Sequence, residues 1–250
     1  MINLYFILLA GGIGSRAKTK LPKQFVKIQE KTLGEYSLET ILSWYKSLKK
    51  NKKIQYGKIV FVSHPLYIKK AKKIYKDYNL IFTEGGDSRH DSTKKGMLLI
   101  KEDSKEKQKR IQDSLIFIHD IARPIFFIND LENMLNVFLK ESEIDCISLV
   151  TKTTETVIEK YQEKIKTLDR EKIFSVKTPQ ALRGKYLELF LTRPTKNDYT
   201  DLITWALEQN LNIKLVDTIP YNLKVTYPID FKLIEFLLLH RKQLQSFPLK

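Results

Sequence analysis

Ala10, Gly11, Gly12 and Gly14 are followed at once by Arg16, Lys18, Lys20 and Lys23. Glycine tolerates positive φ and lets backbone N–H groups approach an anion closely, and the cations add neutralising charge. The apolar run Leu4–Ala10 before them reads as a buried strand, so the loop leaves a strand end. A phosphate chain is the natural guest, and three loop types compete. Gly12-Ile13-Gly14-Ser15-Arg16-Ala17 satisfies the G-x-G-x-x-G/A dinucleotide pattern, but those glycines should open a helix, and Pro22 with the extended residues after it leaves no room for one. The Walker pattern G-x-x-x-x-G-K-[ST] is missing. A loop wrapped around a nucleoside triphosphate, with Arg16 and Lys23 facing the phosphates, meets both composition and context. A plain basic surface turn would not place so many glycines beside Arg16.

Further polar clusters follow apolar runs. Gly85-Gly86-Asp87-Ser88-Arg89-His90-Asp91-Ser92 comes after Leu80–Thr83, and Asp120-Ile121-Ala122-Arg123-Pro124 after Ser114–His119. His64, His90, His119 and His240 have no metal-ligand spacing, and only His119, beside Asp120, has a site role in view. Ser37, Ser63 and Ser92 stand in no G-x-S-x-G elbow. Cys146, the single cysteine, excludes an internal disulfide and a cysteine metal cluster and reads as a small core residue. Trp44 and Trp205 lie at apolar helical spacing and read as packing residues.

The elements that must position these clusters alternate. Strands are expected at Lys58–Ser63, Leu80–Thr83, Ser114–His119 and Ile144–Val150. Helices are expected at Leu33–Leu48, from Pro65 to about Asp77, from the second glycine turn through Leu99, and from Asn129, taken as a cap, to Lys140. Lys101–Asp113 reads as a charged connector. Near-continuous apolar strands in β-loop-α order argue a mostly parallel sheet covered on both faces, with ligands at the strand ends. From Thr151 to Thr167 helical periodicity gives way to a threonine-rich, charged hairpin or arm. Lys177-Thr178-Pro179-Gln180 reads as a rigid turn and Leu182–Leu191 as a helix. Thr200-Asp201 caps a helix over Leu202–Gln209, Ile213–Val216 and Leu223–Thr226 are short strands, and Pro228 opens a last helix through Leu239. With no internal repeat or linker, residues 1–250 are expected to form one α/β domain.

The chain has 250 residues, 42% hydrophobic and 11% aromatic, which suits a globular α/β protein and excludes disorder. Its opening residues lack the basic start of a secretory signal, and no apolar run reaches the roughly 20 residues of a membrane span, so a cytoplasmic protein is expected. The net charge of +15 raises nucleic acid as a partner. Much of that charge alternates with apolar residues, as on solvated helix faces, and no recognition helix or aromatic sheet accompanies it. Tight, salt-dependent DNA or RNA binding would mark that rival. A thermal shift with NAD but none with a nucleoside triphosphate would mark a nicotinamide dehydrogenase.

Taken in order, AGGIGSR, LPKQF, GGDSRHDS, HDIARP, KTPQ and YNLKVTYPIDF resemble the polyol-phosphate cytidylyltransferases, whose members include the methylerythritol 4-phosphate enzyme of isoprenoid synthesis and the ribitol 5-phosphate enzyme of teichoic acid and capsule synthesis. The resemblance spans nearly the whole chain. It implies a Rossmann-like three-layer sandwich of nucleotidyltransferase type, with a mostly parallel mixed sheet and a protruding β-arm at residues 151–171. It implies that Ala10, Gly11, Gly12 and Gly14 wrap CTP, that Arg16, Lys23 and Lys224 act on the reacting phosphates, and that Gly86, Asp87 and Ser92 read cytosine, with Arg89 nearby. Asp120 lies beside the ribose and, with Arg123, Thr200 and Asp201, on the acceptor side. Thr156 and Arg170 on the arm contact the acceptor in the second subunit of a homodimer. The resemblance also implies Mg²⁺ or another divalent cation with CTP, Asp120 being the one side-chain candidate as its ligand. Ala17, Ile121, Glu155-Thr156 and Leu202-Ile203-Thr204 depart from the usual family pattern and bear on substrate choice.

The chemistry is consistent with this resemblance. A phosphomonoester with a second pKa of about 6 is largely dianionic at neutral pH, so it attacks without a general base. The site's task is charge neutralisation on the α-phosphoryl group as pyrophosphate leaves. Between acceptors, Ala10-Gly11-Gly12 and Tyr221–Thr226 look closer to the pentitol branch, the isoprenoid loop more often beginning with two alanines. Ribitol 5-phosphate or another pentitol phosphate is therefore the expected acceptor, with 2-C-methyl-D-erythritol 4-phosphate as the alternative.

Overall fold

The computed structural model describes residues 2–12, 19, 21–50, 54–108, 110–193 and 199–245, with Lys50 and Tyr56 described by backbone alone. β1 (Ile2–Ala10) shows why a continuous apolar run becomes a central strand. Leu4, Phe6, Leu8 and Ala10 enter one core, and Tyr5, Ile7 and Leu9 enter the core on the opposite face. Side chains alternate with period two along a strand, so a strand buried on both faces has no polar phase.

A two-residue ladder, β2 (Lys27–Ile28) and β3 (Lys31–Thr32), leads into α1 (Leu33–Ser47). Thr32 caps α1, its hydroxyl accepting the Glu35 N–H while the Glu35 carboxylate accepts the Thr32 N–H. β4 (Ile54–Ser63), α2 (Ile68–Ile74), β5 (Leu80–Glu84), α3 (Arg89–Glu106), β6 (Ser114–Asp120), α4 (Ile128–Lys140) and β7 (Cys146–Lys152) continue the alternation. Then come the hairpin β8 (Ile158–Tyr161) and β9 (Lys164–Thr167), β10 (Phe174–Arg183), α5 (Leu187–Thr192), α6 (Leu202–Glu208), β11 (Ile213–Asp217), α7 (Pro228–Leu239) and α8 (Arg241–Gln245).

Among the described residues the main sheet has seven strands in the order β11-β7-β10-β6-β1-β4-β5. The pairs β1/β4, β1/β6, β4/β5 and β7/β11 are parallel, and β10 runs antiparallel between β6 and β7. The core on one face takes side chains from α1, α2 and α4, and the core on the other from α3, α5 and α6, giving three layers. This is the mostly parallel mixed α/β sandwich expected. Trp44, Trp205 and Cys146 are buried core residues, the first two as read from their helical spacing and the third from its apolar run. No described helix is long and apolar enough to cross a membrane.

Several expectations are corrected. Lys177–Gln180 is part of β10, where the pairing with β7 shifts between Val176 and Gln180. The irregular ladder there reads in sequence as a turn. Leu182 and Arg183 end that strand, so the following α-helix covers only Leu187–Thr192. Of the expected connector Lys101–Asp113, the first part, Lys101–Glu106, is the end of α3, held in helix by burial of Asp103 and Ser104 despite its charge, and a 3-10 turn over Ile111–Asp113 completes it. The helix after Pro65 begins as a 3-10 turn and its α-helical part ends at Ile74. The Asp130 carboxylate, accepting the Phe127 N–H at 2.7 Å, organises the start of α4, where Asn129 was expected. Leu223–Thr226 is irregular, tied to the sheet end by Val225 N–H donating to the Ala122 carbonyl.

Candidate active site

β1 sits where the chain order reverses. It extends outward through β4 and β5 on one side, and the chain then returns to place β6 on the other. Ligands of open α/β sheets bind beyond the carboxyl ends of strands at such a point. A cleft of about 240 Å³ lies there, lined by Ala10, Gly11, Gly12, Lys23, Gly86, Asp87, Ser88, Arg89, Ser92, Asp120 and Lys224 among others. Most of the expected triphosphate and cytosine residues thus converge on one opening. Gly14 and Arg16 lie outside the described residues.

Each wall has a local cause. Pro22 leads into a 3-10 turn over Lys23–Phe25, where buried Gln24 donates its amide N–H to the Ala10 carbonyl at 2.7 Å, tying this segment to the end of β1. The Tyr75 hydroxyl donates to the Gln24 carbonyl at 3.2 Å behind it. The Lys23 ammonium reaches the Val225 carbonyl at 2.8 Å, fastening this wall to the 223–226 segment. On the opposite wall, Gly85 N–H donates to the Ser63 carbonyl at 2.7 Å and Gly86 N–H to Ser92 Oγ at 3.2 Å. Gly86 has no room for a side chain, since a Cβ there would stand 2.3 Å from the Asp91 Cβ. Ser88 caps α3 by accepting the Asp91 N–H at 3.0 Å. The positive end of an 18-residue helix therefore opens into the cleft, a setting that favours an anion.

The floor is an ion cluster assembled from three distant segments. Asp120 Oδ1 accepts from Arg89 Nε at 3.0 Å, and Asp120 Oδ2 accepts from Lys224 Nζ at 2.6 Å. Burial would raise the Asp120 carboxyl, but the charges of Arg89, Lys224 and Arg123 overcome it and hold the group well below the usual carboxylate range. Asp120 is therefore a permanent anion that orients two cations, whose further N–H donors can serve a phosphate. The Arg89 Nη2 atom is buried without a hydrogen-bond partner among the described residues.

Behind Asp120 stands a buried layer. Arg123 donates from Nη1 to the Asn222 carbonyl at 2.9 Å, and Asn222 Nδ2 donates to the Thr178 carbonyl at 2.9 Å. The Asp120 N–H donates to Thr178 Oγ1 at 3.1 Å. Thr178 Oγ1 also lies 3.0 Å from His119 Nδ1, and His119 Nε2 lies 3.0 Å from the Arg123 carbonyl and 3.3 Å from Ser37 Oγ. Burial pushes the His119 pKa down to about 3, Asp120 opposing and Arg123 adding to the shift. Lys177 is also pushed down, by burial and then by the Arg123 charge. Sequence reasoning gave no role to Gln24, Thr178 and Asn222, although LPKQF, KTPQ and YNLKVTYPIDF had flagged all three as parts of motifs.

The remaining expected residues lie elsewhere in this chain. Thr156 and Arg170 belong to the arm segment, away from the cleft lining, and Arg170 Nη1 contacts the Thr154 carbonyl at 3.4 Å. Asp201 accepts the Thr204 N–H at 2.9 Å as the cap of α6, with Thr200 Oγ1 3.4 Å from its other oxygen. Neither residue lines the cleft. A magnesium ion held by side chains is not supported by the donor set. Both Asp120 oxygens already face cations, and no group of three metal-ligating residues exists among the described residues.

A three-layer sandwich with a glycine and cation cleft at its sheet's switch point is an arrangement suited to nucleotidyl transfer. Comparison with known proteins agrees. The model of the family described as "IspD: 2-C-methyl-D-erythritol 4-phosphate cytidylyltransferase" matches residues 4–240. Enzymes carrying that name are 34% identical in Leptospira borgpetersenii serovar Hardjo-bovis (strain JB197), over 94% of this chain and 93% of the relative, and 26% identical in Thermotoga neapolitana, over 91% and 93%. Among solved structures, the bifunctional IspDF of Campylobacter jejuni superposes with a TM-score of 0.72 at 27% identity, covering 92% of this chain and 53% of that longer one. The Francisella tularensis cytidylyltransferase, at 23% identity, TM-score 0.70 and coverage of 94% and 99%, supports the fold. The chain belongs to the 2-C-methyl-D-erythritol 4-phosphate cytidylyltransferase family and is a CTP-dependent nucleotidyltransferase. These findings back the methylerythritol alternative in preference to the pentitol phosphate expected from the loop and the Tyr221–Thr226 stretch.

Proposed function

We propose that this chain transfers the cytidylyl group of CTP to 2-C-methyl-D-erythritol 4-phosphate. The family match over residues 4–240 carries the choice of acceptor, and the Arg89–Asp120–Lys224 cluster at the cleft floor fits the chemistry. A non-bridging oxygen of the acceptor phosphate attacks the α-phosphorus of CTP in line, a new P–O bond forms, and the bond to the bridging oxygen breaks as pyrophosphate leaves with its electron pair. Lys23, Lys224 and Arg16 stabilise the charge developing on the phosphoryl oxygens. Gly86, Asp87 and Ser92 read the base, with Ala10, Gly11, Gly12 and Gly14 around the phosphates and Asp120 beside the ribose. Mg²⁺ enters on the triphosphate oxygens as part of the nucleotide substrate.

Arg123, Thr200 and Asp201 serve the acceptor side, joined by Thr156 and Arg170 from the arm of a second copy. The exposed apolar side chains of that arm, Ile158, Tyr161 and Ile165, support a homodimer, and Tyr161→Glu with Ile165→Glu should yield monomers in analytical ultracentrifugation. The reaction belongs in the cytoplasm, where CTP is available. The deciding experiment incubates the protein with CTP, Mg²⁺ and either methylerythritol 4-phosphate or ribitol 5-phosphate and follows pyrophosphate. Release with the first at least tenfold faster supports the reading; preference for ribitol 5-phosphate, or no release with either, refutes it.

A further inference from the structure

We infer that His119 is a positioning residue, its neutral imidazole linking the backbone of Asp120 to that of Arg123 through a proton chain with one allowed direction. The direction follows from what each atom can do. The Arg123 carbonyl oxygen has no proton, so the ring nitrogen 3.0 Å away, Nε2, carries one and donates it. A neutral imidazole with a proton on Nε2 has a lone pair on Nδ1, so the Thr178 hydroxyl, 3.0 Å from Nδ1, donates to it. With its proton committed, Thr178 Oγ1 is left to accept, and it accepts the Asp120 N–H at 3.1 Å. The chain therefore runs from Asp120 N–H through Thr178 O–H and His119 to the Arg123 carbonyl, every donor being used once.

The surroundings lock this arrangement. His119 is wholly buried, its ring packs at 4.4 Å from that of Phe126, and Ser37 Oγ stands 3.3 Å from Nε2 as a second, longer contact. Desolvation in that setting favours the uncharged ring, in keeping with the depressed basicity already noted. A second proton, on Nδ1, would turn the ring from acceptor to donor toward Thr178 and reverse the Thr178 hydroxyl. The network spans β6, the segment after it and β10. It holds the backbone at the residue that orients Arg89 and Lys224, and at the residue that presents Arg123. His119 itself does not line the cleft, so its influence on substrates passes through those two residues.

The role on the acceptor side rests on the function proposed above, whereas the tautomer does not, and two measurements keep them apart. Nitrogen-15 NMR of histidine-labelled wild-type protein without substrates, with His119 assigned by its loss in His119→Gln, should show protonated Nε2 and bare Nδ1 between pH 6 and 8. Protonated Nδ1, or an imidazolium in that range, would overturn the proposal. In steady-state assays with the preferred acceptor, His119→Leu should lower kcat/KM for the acceptor by about tenfold to a hundredfold, the range expected when reacting groups shift by a fraction of an ångström to an ångström. The KM for CTP should change less than threefold. His119→Gln, which offers one acceptor and one donor, should recover most of the loss. Equal effects on both substrates, or Gln no better than Leu with both variants folded by circular dichroism, would overturn it. If neither variant folds, His119 is assigned by elimination with His64→Gln, His90→Gln and His240→Gln, and the NMR result alone decides.

Discussion

Replacing Lys224 with glutamine separates catalysis from stability, because the structure gives Lys224 a large part in one and a small part in the other. Its ammonium is held 2.6 Å from Asp120 Oδ2 at the cleft floor, already oriented before substrate arrives. Removing one preorganised electrostatic donor from a developing charge costs about 2.7–4 kcal/mol, or roughly 10²–10³ in kcat. The ion pair itself is worth far less to folding. The Lys224 side chain is 40% exposed, and Asp120 keeps Arg89 at 3.0 Å after the change. Partly exposed pairs contribute about 0–1 kcal/mol, which for a chain of this length moves Tm by no more than about 4 °C. Pyrophosphate release and a thermal melt on the same preparation provide both numbers. A kcat within fivefold of wild type would remove Lys224 from the charge-stabilising role. A Tm lowered by more than about 10 °C would show that the pair is a structural element instead.

Asp120→Asn leaves Arg89 and Lys224 facing a neutral amide, and a destabilisation of about 1–3 kcal/mol is expected in urea titrations, below the value for a fully buried pair because both cations are partly exposed. Since the folded-state pKa of Asp120 is depressed, its contribution is complete above the unfolded value near 4 and is lost only as pH falls further, so the gap between the two proteins should be constant from pH 5 to 8. His119 imposes a different pH dependence: with its folded pKa near 3, the unfolded chain binds the extra proton between there and about 6.5. Stability should therefore rise with pH across that window, by up to about 1.4 kcal/mol per unit, and the His119 contribution should be flat above it. His119→Gln should flatten this slope between pH 5 and 6.5, as read by urea midpoints. Gly86→Ala forces a Cβ against Asp91 and should cost about 1–3 kcal/mol while raising the KM for CTP more than that for the acceptor.

The acceptor shows where motif letters stop informing. Ala10-Gly11-Gly12 and Lys224 belong to a loop and a cation cluster that any transfer from a nucleoside triphosphate requires, so they carried little information about the second substrate. Similarity over nearly the whole chain weighed all positions together and favoured methylerythritol phosphate. The misread segments share one cause. Lys177–Gln180 and the residues around Lys224 are held by contacts from distant elements, including Ser148 Oγ donating to the Lys177 carbonyl at 3.2 Å and Val225 N–H donating to the Ala122 carbonyl at 2.9 Å. Local propensity has no access to such contacts. The charged end of α3 is the same case, with Asp103 buried against the Tyr5 hydroxyl at 3.2 Å.

By itself the sequence determined the alternating strands and helices, the glycine-rich end of β1, the polar turn before α3, the cap Asp201, the helix start at Pro228, and the class of reaction. The elements and turns follow from short-range rules, period-two burial with glycine and proline punctuation, and the class of reaction from the resemblance that the ordered motifs carry. Tertiary structure alone decided that Asp120 binds Arg89 and Lys224, 31 and 104 residues away along the chain, and that Thr178, 58 residues on, closes the network behind it. The reason is topological. Antiparallel β10 enters the sheet beside β6, and the chain after β11 returns over the same strand ends, so the site is completed by elements that meet only when the sheet has formed.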